Sequence, residues 1–148
     1  MDLGSLLTQT STEITDLAIL IIRVFIGSCF VVHGMGKLGI VGTGTMEGFV
    51  EWLESMNIPM APVQARMAML SEIIGGTAIV FGLMTRPACL LLIGTMMVAA
   101  RLGHKGCGYL ITNDPPGAEY VVNLAAICLV IVLLGPGAYS LDHMFFLS

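Results

Sequence analysis

Four stretches of this chain are apolar over about the length a helix needs to cross a hydrocarbon layer, roughly 20 residues at about 1.5 Å each. They read Ile14–Leu38, Pro62–Met84, Arg86–Leu102 and Ala118–Leu134. In 148 residues they leave little room for anything else. The chain is therefore expected to be all-α, a transmembrane four-helix bundle forming one domain over residues 1–148. Composition points the same way: 56% of residues are hydrophobic and 11% charged, against about 25% charged in a soluble domain. The excess apolar surface must meet a lipid bilayer. A net charge of -4 without a basic run excludes a phosphate-tracking surface, so no nucleic-acid partner is expected.

The boundaries carry ordinary helix signals. Gly82 to Pro87 is a hairpin so short that the second and third spans must be antiparallel neighbours, with Thr85 as the expected cap and Pro87 in the first turn. The fourth span opens after Asn113-Asp114-Pro115-Pro116 and stops at Gly135-Pro136-Gly137. Between spans one and two, Thr45 to Met56 reads as an amphipathic helix. Met46, Phe49, Val50, Leu53 and Met56 form its apolar face, and Glu47, Glu51 and Glu54 the other. It is expected to lie at the membrane interface, or over the helices as a lid, with Trp52 at its apolar edge. Asp2, Glu13 and Asp16 give the N-terminus the wrong sign for a signal peptide, so the first span is expected to be retained.

An even number of spans puts both termini on one side with Arg86. Lys37, Arg66, Arg101 and Lys105 gather near the other side, which the positive-inside rule makes cytoplasmic unless those groups point inward. The four cysteines include no C-x-x-C pair and read as small buried hydrophobes, apart from Cys107 in a loop. Eleven methionines and three histidines show no metal or haem spacing.

Two ionisable residues stand near mid-membrane, Arg23 in span one and Glu72 in span two. A central charge is unfavourable by about 2.5–3.5 kcal/mol on insertion scales. Counted from the loop ends, their depths differ by roughly 7 Å, so they are expected to pair, either as a lock or in proton or ligand handling. Arg23, Gly27, Phe30, Gly34 and Lys37 share one face of span one. Ala65, Ala68, Glu72 and Gly76 share one face of span two. Small residues beside an ionisable one permit close approach, so the two spans are expected to pack along these stripes. Nearer the loops, His33, Lys37, Arg66, Arg101, His104, Glu119, Tyr120 and Asn123 lie within a turn or two of the same helix ends. Their convergence would make a polar pocket with Arg23 and Glu72 at its floor.

The run Arg23-Val-Phe-Ile-Gly27-Ser-Cys-Phe30-Val-Val-His33-Gly34-Met-Gly-Lys37-Leu38 resembles the opening signature of the DoxX family of membrane proteins. Glu72-Ile-Ile-Gly75-Gly76, Gly82-Leu83-Met84-Thr85-Arg86, His104, Glu119-Tyr120 and the closing Gly135-Pro136-Gly137 with Ser140-Leu141-Asp142 are similar in order. The resemblance covers residues 17–142. It implies a four-helix protein of the bacterial cytoplasmic membrane associated with membrane redox chemistry, quinone-linked in some relatives. By position, Arg23, His33, Lys37, Glu72 and His104 look like the family's polar residues. Three functions follow from this. One is a subunit of a membrane oxidoreductase whose pocket holds a quinone headgroup, with Arg23 and Lys37 stabilising a developing oxyanion and His33 or Glu72 exchanging its proton. The second is a non-catalytic assembly subunit among other membrane subunits, or a homo-oligomer. The third is a small-solute or proton-coupled transporter.

Overall fold

The computed structural model describes residues 10–146, which contain six helices and no strand; Asp2 lies outside the described residues. The helices are α1 (Thr12–Lys37), α2 (Met46–Ser55), α3 (Ala61–Phe81), α4 (Thr85–Leu102), α5 (Glu119–Leu134) and α6 (Leu141–Phe146). Two of them, α1 and α4, are long and apolar enough to cross a membrane by length and composition, while α5 is apolar but shorter.

Side-chain caps start the first two helices. Ser11 Oγ accepts the Ile14 N–H at 3.3 Å, and Thr45 Oγ1 accepts the Gly48 N–H at 3.0 Å. These bonds satisfy donors that a helix start leaves open. The start of α4 corrects the sequence expectation. Thr85 is already helical, and the cap position is Met84, with φ 49° and no side-chain capping bond. The turn reverses through two left-handed residues, Gly82 at φ 65° and Met84, so the helix resumes one residue before a Thr85 cap could act. The missing acceptor comes from far along the chain: Asp142 takes the Met84 N–H on Oδ1 at 2.6 Å and the Thr85 N–H on Oδ2 at 2.8 Å.

The most extensive helix contact joins α1 to α3. A Cβ built on Gly27 would stand 2.6 Å from Gly76 O, and one on Gly76 would stand 2.6 Å from Gly27 O. Backbones meet there because neither helix carries a side chain at the crossing. This is the packing the two stripes call for: Arg23, Gly27, Phe30 and Gly34 are buried on α1, and Ala65, Glu72 and Gly76 on α3. Contacts then run from α3 to α4, α4 to α5 and, more thinly, α5 back to α1. The shared core includes Phe30, Ile79, Leu92, Leu124 and Ile131. Helix α2 packs on α3. Its Leu53 is buried with Ala61 and Ala65, and Met46, Phe49, Val50 and Met56 lie against them. Glu47, Glu51 and Glu54 face outward, as the amphipathic pattern requires.

Candidate functional site

The register of α1 against α3 decides which charges can meet. Gly27 lies opposite Gly76, and Gly34 opposite Met69 and Ile73. Glu72 is therefore level with Gly34, whereas Arg23 lies eleven residues earlier on α1, about 16 Å along the axis. Side chains on a helix also lean toward its N-terminus. In this antiparallel pair the lean carries Arg23 toward the 82–84 hairpin and Glu72 toward the loops. The expected Arg23–Glu72 pair is thus corrected. Glu72 Oε2 instead accepts from Lys37 Nζ, with the side chains 6% and 20% exposed respectively. Lys37 leans back along α1 to reach it, and its ammonium sits 5.2 Å from the centre of the Phe49 ring.

Arg23 belongs to a different assembly at the hairpin end. It is fully buried and donates from Nη2 to Tyr139 O, while Nε and Nη1 have no hydrogen-bond partner among the described residues. The guanidinium lies against Gly82, where any Cβ would overlap Nη1. Asp142 joins this corner through its own N–H, which donates to Gly82 O at 2.8 Å. Partial burial raises the Asp142 carboxyl, but the Thr85 and Met84 N–H donors and the charge of Arg23 outweigh it and hold the carboxyl below its ordinary range.

A second polar unit stands beside Lys37 and Glu72. Tyr120 Oη is 2.6 Å from His33 Nε2 and 2.8 Å from Cys29 Sγ, with the two rings 5.1 Å apart. The arrangement that satisfies all three groups runs S–H to O–H to imidazole nitrogen, which puts the neutral His33 proton on Nδ1. Cys29, read from sequence as an inert thiol, is therefore part of the site. Its place one helical turn before His33 on α1 was the available signal.

These groups open onto a cavity of about 680 Å³ lined by His33, Lys37, Glu72, His104 and Tyr120, and elsewhere by mostly apolar residues of α2, α3, α4 and α5, with Gln64, Ser71 and Thr95 the polar side chains among them. His104 is fixed by its Nδ1, 2.8 Å from Pro116 O. Neither Arg23 nor Glu119 lines this cavity. Glu119 Oε2 accepts the Ile111 N–H at 3.0 Å and braces the loop before α5. Arg66, Arg101 and Asn123 are exposed. The pocket floor expected from Arg23 and Glu72 is made by Lys37 and Glu72.

The DoxX family model matches residues 18–105. Among curated proteins, the chain is 30% identical over 130 residues to inner membrane protein YphA of Escherichia coli strain K12, covering 84% of this chain and 88% of that one. It is 29% identical over 140 residues to inner membrane protein YqjF of the same organism, covering 89% and 95%. No solved structure matches.

Proposed function

The chain belongs to the DoxX family and is an integral protein of the bacterial inner membrane, and from that premise we propose that it binds a lipid-soluble quinone as a subunit of a membrane oxidoreductase complex. In this reading residues 1–148 form one domain. Helices α1, α3, α4 and α5 span the bilayer as a four-helix bundle, and α2 lies at the interface. With Lys37 turned inward to Glu72, the remaining span-end charges Arg66, Arg101 and Lys105 still outnumber Arg86, which favours a cytoplasmic loop side.

One observation carries the proposal: the Lys37–Glu72 ion pair and a Tyr–His pair sit at one end of a cavity whose other lining residues are mostly apolar, with Gln64, Ser71 and Thr95 among them. Its volume is within the range of ligand pockets, about 300–1,000 Å³. Exposed Met67, Leu90, Leu91 and Val98 line its outer part, so the cavity reaches the lipid-facing surface between α3 and α4. An amphiphile with a small polar head and an apolar tail fits both ends. A quinone would supply reversible two-electron, two-proton chemistry there. Lys37 offers a cation to a carbonyl oxygen, His33 offers its Nδ1–H as a donor while Tyr120 holds the ring through Nε2, and Glu72 is the acceptor that holds Lys37 in place.

The test uses Trp52, the sole tryptophan of the chain, which lines the cavity. In phosphatidylcholine nanodiscs, decylubiquinone is expected to quench its fluorescence saturably, with Kd raised at least tenfold by E72Q combined with K37M. Quenching that rises linearly and equally in both proteins overturns the proposal.

A further inference from the structure

A second cavity, of about 600 Å³, lies beneath the 38–45 loop and the first turn of α2. Its walls include Thr43, Thr45 and the glycines Gly36, Gly44 and Gly48 together with exposed Val32 and Val41, which places it at the loop end of α1. Four residues line both cavities: His33, Lys37, Phe49 and Trp52. They form the partition between them. Its α2 half is apolar, the Phe49 and Trp52 rings being stacked at 5.9 Å and 22°. Its α1 half is titratable.

A ligand oxygen at the polar end of the lipid-facing cavity has no proton source in hydrocarbon. Water reaches the loop side. His33 borders both spaces, and its bond to Tyr120 occupies Nε2 and leaves Nδ1 for exchange. The groups that face it are Cys29 and Lys37 on α1, Glu72 on α3 and Tyr120 on α5, with His104 on the same cavity.

We propose that this second cavity is a vestibule, the water-side entrance to the pocket, and that His33 passes protons across the partition. The inference rests on the quinone reading above. The imidazolium of His33 gives a proton to the ligand oxygen, becomes neutral and takes another from vestibule water. Two rounds supply the two protons of quinol formation, and the two electrons come from a reduced partner subunit, or from dithionite in the test below.

The experiment has a labelling arm and a reduction arm, both with the full chain in phosphatidylcholine nanodiscs. In the first, H33C is treated with a membrane-impermeant thiosulfonate, and peptide mass spectrometry separates position 33 from the native cysteines. Labelling from water is expected, slowed at least tenfold when T43F fills the vestibule. In the second, saturating decylubiquinone is reduced by dithionite and quinol formation above the protein-free rate is followed. T43F is expected to leave saturable Trp52 quenching within about twofold of wild type and to slow reduction at least tenfold. H33A is expected to be equally slow and to be restored by added imidazole, which a structural role for His33 would not produce. Absence of saturable quenching in the wild type sinks the quinone reading, and this proposal with it. Intact binding with an unlabelled H33C, or with reduction unaffected by T43F and H33A, overturns this proposal alone.

Discussion

Replacing Gly27 by alanine adds one methyl group where the backbones of α1 and α3 meet. That Cβ would lie 2.6 Å from Gly76 O, 2.7 Å from Val80 Cγ2 and 2.9 Å from Val80 N. Ordinary contact begins near 3.4 Å, so α1 and α3 must separate by about 0.8 Å, a gap that forfeits roughly a quarter to a half of each dispersion contact it affects. Two of the three obstructing atoms are backbone, and no rotamer change relieves them. Overpacking costs about 1–3 kcal/mol. The upper end is expected here because this seam is the most extensive one. At about 1.4 kcal/mol per factor of ten, the folded-to-unfolded ratio falls by about a hundredfold. Reversible SDS titration in mixed micelles, followed by circular dichroism, measures it against G94A, whose Cβ meets nothing within 4 Å. G94A is expected to match wild type or exceed it by up to about 1 kcal/mol from helix propensity. A G27A protein as stable as G94A refutes the derived seam.

Three further outcomes are expected. K37M leaves the Glu72 carboxylate buried without its cation and should destabilise the fold by about 3 kcal/mol, most of it regained in K37M/E72Q; equal loss in single and double variants, read in the same titration, contradicts the pairing. G82A and G42A both place alanine at positive φ, at a strain of roughly 1–2 kcal/mol, but only G82A meets the Arg23 guanidinium. Its melting temperature should therefore fall further than that of G42A, and equal falls would remove Arg23 from the hairpin corner. Asp142, whose carboxyl is held below its ordinary range, adds stability in full above the unfolded value near pH 4 and loses it as pH falls through the lower folded value. The melting difference between wild type and D142N should be present at pH 7 and vanish in acid; a difference independent of pH argues against the carboxylate cap.

Helix positions were legible because lipid-facing segments write their length and punctuation directly into sequence. The expected span Arg86–Leu102 is the helix Thr85–Leu102, and the amphipathic segment Thr45–Met56 is the helix Met46–Ser55 capped by Thr45. The stripes through Gly27 and Gly76 were legible for a similar reason, since rotation about a helix follows from spacing alone. The cap on α4 was not. It comes from Asp142, 57 residues from Thr85, and no local pattern announces a partner at that distance. Tyr120 appeared among the loop-end polar residues, but its bond to Cys29 spans 91 positions and depends on how α5 sits against α1.

The Arg23 expectation failed through an assumption about depth. Counting from loop ends treats two helices as starting level and their side chains as pointing sideways. Here the seam sets the register, and the lean of each side chain toward its own N-terminus then separates Arg23 from Glu72 and draws Lys37 to Glu72. The same two facts sort the buried charges by task. Arg23, with Tyr139 O and the nearby Asp142, ties α1 to the hairpin and the C-terminal segment at one end of the α1–α3 seam. Lys37 and Glu72 close the cavity at the other end. A substitution at Arg23 should therefore change stability without changing ligand affinity in the surviving folded protein. The K37M/E72Q pair should change affinity with most of the stability retained. Arg23 with Asp142, and Lys37 with Glu72, are thus two separable devices, and Lys37 and Glu72 are the pair that lines the 680 Å³ cavity.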